Sequence, residues 1–124
     1  MANNGVKMVL TLGSNCEQEH NVRYAMERLR ECFPGIKFSR ILWTDPIGIE
    51  SDKFVNALAI GYSNITVEDV VKNLKAIERE CGRCYEDKAK NIVRLDIDLL
   101  QYGELKFREE DWKREYVQLL LKEL

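Results

Sequence analysis

Apolar residues along the chain switch between two spacings, and the switches mark the elements. Val6–Leu12 is mostly apolar and ends at Gly13, the pattern of a buried strand. Val22, Ala25, Met26, Leu29 and Cys32 then recur at three- and four-residue spacing, one buried helical face that Pro34-Gly35 stops. Ile36–Thr44 returns to a period of two. Lys37, Ser39, Ile41 and Trp43 fall on one side, and Ile36, Phe38, Arg40 and Leu42 on the other. Thr44-Asp45-Pro46-Ile47-Gly48 turns that strand into a loop, because proline lacks a donor and biases its predecessor away from helix. Phe54–Tyr62 predicts a third strand.

The second half repeats the alternation. Thr66 is placed to cap a helix, Asp69 completes a box-like start, and Val67, Val70, Val71, Leu74 and Ile77 form its stripe, with Gly82 as the stop. A polar loop, Arg83–Asn91, leads to a strand over Ile92–Tyr102. A last helix is predicted from Asp111 to Leu124, with Trp112, Tyr116, Leu119 and Leu120 on its buried side. The order β-α-β-β-α-β plus a helix predicts an α+β, ferredoxin-like fold: an antiparallel sheet with helices packed on it. No repeat, linker or low-complexity tract divides residues 1–124, so one domain is expected. This fold hosts many activities and names none of them.

Composition narrows the class. An apolar fraction of 45% with 32% charged residues describes a globular chain, too apolar for disorder. The net charge of −2, with Lys and Arg dispersed, argues against a nucleic-acid partner. No apolar run approaches the roughly 20 residues of a membrane span, and no basic region followed by an apolar stretch opens the chain; a cytoplasmic protein is expected. Cys81 and Cys84 form a C-x-x-C, but no second pair at zinc spacing accompanies them. Cys81 is expected to pack under the helix end and Cys84 to be incidental, with Cys16 and Cys32 as core thiols. His20, the single histidine, is expected at the surface.

The informative chemistry lies in Arg94-Leu95-Asp96-Ile97-Asp98-Leu99-Leu100. In a strand, Asp96 and Asp98 project from one face, about 7 Å apart along the chain at roughly 3.3 Å per residue. Two carboxylates that close repel, and either they are solvated on an exposed strand face or a dication between or beside them resolves the repulsion. Magnesium takes one or two carboxylates and completes its shell with water and phosphate. Arg83, Lys88, Lys90 and Arg94 precede the pair. Metal-binding carboxylates beside cations suited to phosphate make the composition of a nucleoside-triphosphate site.

The ordered motifs resemble those of the hydroxymethyldihydropterin pyrophosphokinases. Leu12-Gly13-Ser14-Asn15 resembles the family's L-G-S-N opening, with Asn21 at a common asparagine. Thr44-Asp45-Pro46-Ile47-Gly48 resembles its pterin loop, and Phe54-Val55-Asn56-Ala57 its aromatic-x-N-A strand. Glu78-Arg79-Glu80-Cys81-Gly82-Arg83 resembles its E-x-x-x-G-R helix end, and Leu95-Asp96-Ile97-Asp98-Leu99-Leu100 its D-x-D strand. Arg114-Glu115-Tyr116-Val117 resembles a later R-x-F-V.

The resemblance implies a role for each residue. Asp96 and Asp98 would hold two magnesium ions against ATP. Thr44, Asp45, Ile47, Phe54, Asn56 and Tyr116 would form the pterin site, and Asn56 in particular, an amide inside an apolar strand, needs partners if buried. Lys75, Glu78, Lys90 and Arg114 would serve the nucleotide. Arg83 and Arg94 would be catalytic, with Arg83 opening a loop that closes over the substrates. The implied reaction moves pyrophosphate from ATP to the hydroxymethyl group of 6-hydroxymethyl-7,8-dihydropterin, a step of folate biosynthesis.

The chain departs from the family in two places. Lys90-Asn91-Ile92-Val93-Arg94 stands where the family has an aromatic followed by G-P-R, and after Gly103 a longer hairpin with a proline-histidine pair is missing. A second reading is therefore a relative that binds a pterin, nucleotide or protein without turnover, and a third is a plain interaction module. The sequence is silent on oligomeric state.

Overall fold

The structure is a computed structural model that describes residues 5–82 and 84–124. The elements run β1 (Val6–Ser14), α1 (Gln18–Cys32), β2 (Lys37–Phe38), β3 (Leu42–Thr44), β4 (Phe54–Ser63), α2 (Val67–Glu80), β5 (Asp96–Tyr102), β6 (Leu105–Lys106), α3 (Glu109–Trp112) and α4 (Glu115–Glu123). The sheet order is β2-β4-β1-β5-β6, with β3 also paired to β4. Every one of these pairings is antiparallel. With β2 and β3 counted as one interrupted strand, this is the expected ferredoxin-like order.

Each sheet face buries its own set of side chains. Met8, Leu10 and Leu12 of β1 join Val55, Ala57 and Ala59 of β4 and Ile97 and Leu99 of β5 on one face. They pack against Val22, Ala25 and Leu29 of α1 and Val70, Leu74 and Ile77 of α2. On the other face Val9, Leu58 and Leu100 pack against Val117 and Leu120 of α4. That cover is short. Nine residues of α4 span roughly 13 Å at 1.5 Å each, whereas nine of β1 span roughly 30 Å. The uncovered half of this second face carries Thr11, Gly13, Asn56, Asp96 and Asp98.

The sequence predicted unbroken alternation over Ile36–Thr44, and the structure breaks it at Ser39. The Ser39 N–H donates to the Leu58 carbonyl at 2.9 Å, while the Leu58 N–H donates to Ser39 Oγ at 2.8 Å. Phe38 lies opposite Ala59 and Leu42 opposite Asn56, so residues 39–41 face only two residues of β4. This extra residue is a bulge, and it exchanges the faces. Phe38 packs with the α1 and α2 cluster, but Leu42 packs with the α4 cluster. Thr44 is carried to the open face for the same reason.

Two other boundaries move. The strand expected from Ile92 begins at Asp96, because side chains of the first β–α turn and the first turn of α1 hold the preceding backbone. Asn15 Nδ2 donates to the Asn91 carbonyl at 2.7 Å, the Val93 N–H donates to Asn15 Oδ1 at 2.6 Å, and Asn21 Nδ2 donates to the Arg94 carbonyl at 2.9 Å. The last helix, expected from Asp111, is broken between α3 and α4 where Arg114 takes an extended conformation. Trp112 anchors the break by donating its indole N–H to the Phe107 carbonyl at 2.9 Å. Val117 and Leu120 form the buried stripe of α4, and Leu119, expected inside, is 43% exposed. Val71 is likewise exposed on α2, where Glu78 takes the buried position.

All four cysteines are free thiols. Cys32 and Cys81 pack against the core edge as expected, Cys16 is only half-buried, and Cys84 is exposed. His20 is exposed. Among the described residues no helix is long and apolar enough to cross a membrane.

Candidate active site

The bare half of the sheet forms the floor of a cleft of about 190 Å³. Strand register sets the floor: β1 places Thr11 opposite Asp98 and Gly13 opposite Asp96, and on its other side Gly13 meets Asn56 of β4. Space at Gly13 is tight. A Cβ there would lie 3.1 Å from Asn56 Oδ1, so glycine lets the amide lie across β1. Asn56 is 6% exposed, and its Nδ2 donates to Thr44 Oγ1, the hydroxyl that the Ser39 bulge turned to this face. Phe54, the 44–47 loop and Tyr116 line it together with Arg108, Asp111 and Arg114, and Arg114 also adjoins Thr44, Ile47 and Tyr116 in a neighbouring groove.

Negative charge dominates the floor. Burial, reinforced by the neighbouring Asp96 carboxylate, pushes the Asp98 carboxyl up to about 7. Arg108 pairs with it, with Nε 3.6 Å from Asp98 Oδ2. The same guanidinium sits 2.7 Å from Asp111 Oδ2, and Arg114 pairs with Asp111 at 3.1 Å, so opposite charges alternate along the cleft. Burial also raises the Tyr116 hydroxyl. Beneath β5, Glu78 is 1% exposed and accepts the Ile97 N–H at 2.8 Å. Burial raises its carboxyl, with Asp96 adding to the effect, while Lys75 lies 3.6 Å away.

The sequence-derived set divides on this geometry. Thr44, Asp45, Ile47, Phe54, Asn56, Tyr116, Asp96, Asp98 and Arg114 line one cleft. Lys75 lies in an adjoining apolar groove with Val71, Leu74, Leu99 and Phe107, which shares Asp98 and Arg108 with the cleft. Glu78 is not on a solvated helix face but caps the backbone of β5 from below. Lys90 lines a separate depression with Asn15, Ser51 and Asn91. Arg94 points to Asp87, which it meets at 2.9 Å through Nε and 3.3 Å through a terminal nitrogen, and this pairing holds the Asp87 carboxyl below its usual range. Arg83 lies outside the described residues. Sequence reasoning missed Arg108 and Asp111. The signal available was their three-residue spacing in Arg108-Glu109-Glu110-Asp111, the separation of a helical ion pair.

The donor set suits a hard dication. Asp96 and Asp98 offer carboxylate oxygens from one strand face, side by side on the floor of the cleft. Among the described residues no three His, Cys, Asp or Glu side chains enclose an ion. Magnesium takes one or two carboxylates of this kind and completes its shell with water and phosphate.

Fold and cleft together define a ferredoxin-like α+β domain with an acidic, arginine-edged cleft on its open sheet face. A sequence profile of the 7,8-dihydro-6-hydroxymethylpterin-pyrophosphokinase family matches residues 9–124, and the chain belongs to that family. It is 30% identical to the 2-amino-4-hydroxy-6-hydroxymethyldihydropteridine pyrophosphokinase of Porphyromonas gingivalis, covering 93% of this chain and 88% of that protein. The Pseudomonas aeruginosa enzyme of the same name is 34% identical over 79% of this chain and 62% of its own length. The folate synthesis bifunctional protein of Arabidopsis thaliana is 28% identical over 90% of this chain and 25% of its own length.

Proposed function

We propose that this chain transfers pyrophosphate from ATP to the hydroxymethyl group of 6-hydroxymethyl-7,8-dihydropterin, in the cytoplasm, where four free thiols are at home. The observation that carries this reading is the convergence in one cleft of the two aspartates, Asn56, the 44–47 loop and the two aromatic rings of Phe54 and Tyr116. Asn56 meets the edge of the pterin ring, and its bond to Thr44 ties that contact to the loop. Phe54 and Tyr116 supply flat apolar surface for the ring's faces.

The substrate oxygen attacks the β-phosphorus, the bond to the α-phosphate oxygen breaks, and AMP leaves. Asp96 and Asp98 would hold two magnesium ions, which when bound neutralise the triphosphate and brace an in-line displacement. Arg108 and Arg114, which line the same cleft, supply positive charge for the phosphates. The groove beside Asp98, with Lys75 at its edge, has the apolar lining that a nucleotide base takes. Positioning and charge neutralisation do most of the work in such transfers, and no strong base is needed. Arg94 acts as a positioning residue, bracing through Asp87 the segment that begins at Arg83 and carries Lys90. Glu78 supports the β5 backbone from below by accepting the Ile97 N–H.

Coupled measurement of AMP release tests the assignment. Release that requires the pterin, ATP and magnesium together supports it. A folded protein that releases no AMP under those conditions, yet binds the pterin in calorimetry, contradicts it.

A further inference from the structure

Arg108 is placed unlike an ordinary surface arginine. It takes a left-handed conformation (φ 54°, ψ 56°), which non-glycine residues adopt at a cost and which is enriched where a side chain must be aimed. The aim is inward: its Nε lies 3.6 Å from Asp98 and 2.7 Å from Asp111, although half of the side chain remains exposed. The guanidinium therefore stands beside Asp98 on the open face, close to where a dication on that carboxylate would sit.

Its tether is light. No residue from 103 to 116 is fully buried, β6 has two residues and α3 buries none of its four. The anchors at either side are Phe107, whose N–H donates to the Leu100 carbonyl at 2.9 Å, and the indole of Trp112. Arg108 projects between them and can swing without disturbing either core cluster.

We propose that Arg108 is a displaceable counter-ion. In the free protein it neutralises Asp98, and on loading the dication takes its place while the guanidinium, kept in the cleft by Asp111, turns to the phosphate oxygens. Two positive charges cannot both lie against one carboxylate without repulsion, so cation and Arg108 compete when no phosphate is present. When phosphate is present Arg108 has a partner of its own, and the competition ends. Arg108 thus penalises the bare metal and favours the metal–nucleotide complex. This rests on the metal role given above to Asp98.

Mn²⁺ binding to the intact chain, followed by electron paramagnetic resonance without nucleotide, tests it. Arg108→Gln removes the charge at an exposed position, and Arg108→Lys keeps it. Removing a partly screened cation is expected to tighten nucleotide-free Mn²⁺ binding roughly threefold to tenfold. Arg108→Lys is expected to stay near the wild type, and Arg108→Gln is expected to weaken binding of a non-hydrolysable ATP analogue in the presence of Mn²⁺. Unchanged or weaker Mn²⁺ binding in Arg108→Gln overturns the proposal while leaving the metal role of Asp98 intact, provided Asp98→Asn abolishes binding. If no protein shows Asp98-dependent Mn²⁺ binding, the metal role itself fails and the proposal falls with it.

Discussion

Replacing Asn15 by alanine removes two hydrogen bonds that join the first β–α turn to the backbone ahead of β5. The lost contacts are Nδ2 to the Asn91 carbonyl at 2.7 Å and the Val93 N–H to Oδ1 at 2.6 Å, from a residue 5% exposed. The backbone bond from the Asn15 N–H to the Val93 carbonyl, at 2.9 Å, can persist. Each lost bond costs about 0.5–1.5 kcal/mol net, and more for a partner left dry. The expected loss is about 2–3 kcal/mol, a sizeable part of a typical stability yet short of unfolding the chain. Urea denaturation measures the total, and amide exchange locates it. Val93 should lose roughly thirtyfold or more of its protection, while Leu58, on the far strand, keeps its own relative to the global loss. Asn15→Asp, which retains the acceptor and loses the donor, should fall between. A loss below about 0.5 kcal/mol with Val93 protection unchanged would refute the claim that Asn15 clamps this segment.

Gly13→Ala places a Cβ 3.1 Å from Asn56 Oδ1, so pterin affinity by calorimetry should fall several-fold, with stability reduced by only about 1 kcal/mol. Leu120→Ala empties a fully buried position under the sheet and should cost about 2–5 kcal/mol in denaturation, whereas Leu119→Ala, at 43% exposure, should stay within about 0.5 kcal/mol. Glu80 joins α1 to α2 through Arg28 at 2.7 Å and Tyr24 at 2.6 Å, and these bonds hold its carboxyl down at about 2. Because the folded value lies below the unfolded one, the stabilisation is complete above about pH 4.5 and is lost as pH falls toward 2. Solvent screening limits it to about 1 kcal/mol or less. Glu80→Gln should therefore flatten stability over that window in a pH series of urea midpoints, and an unaltered acid limb would count against the bridge.

Periodicity carried the large elements because each buries a continuous stripe. The runs of β1 and β4 and the 3-4 spacing of α1 and α2 are all recovered within a few residues. What failed was local. Ser39 reads as an ordinary strand residue, yet its hydroxyl intercepts the Leu58 N–H and turns Leu42 and Thr44 to the other face. Ile92-Val93-Arg94 looks like strand, but Asn15 and Asn21, more than seventy residues earlier, hold Val93 and Arg94, and the Ile92 N–H donates to the Asp87 carbonyl at 2.8 Å. Such contacts leave no trace in a window of local sequence. The site followed the same division. Asp96, Asp98 and Asn56, on β5 and β4, were legible because alternation and motif order place them, whereas Thr44 was placed by motif order alone, its face having been switched by the bulge. Arg94 and Lys90 were not, because they belong to the segment between α2 and β5, whose path is set by side-chain bonds. Arg108 and Asp111 entered the cleft through a left-handed residue at an unremarkable charged run.

The central claim is that Asp96 and Asp98 power phosphoryl transfer in a cleft whose pterin-binding wall is built separately. Asp98→Asn separates the two functions, since it alters the floor and leaves Asn56, Phe54 and the 44–47 loop in place. The measurement is the turnover number for AMP release alongside calorimetric pterin affinity, in wild type and Asp98→Asn. The account predicts a fall of roughly a hundredfold or more in turnover with pterin affinity within about threefold. Turnover retained in Asp98→Asn, or pterin binding lost together with turnover, would contradict it.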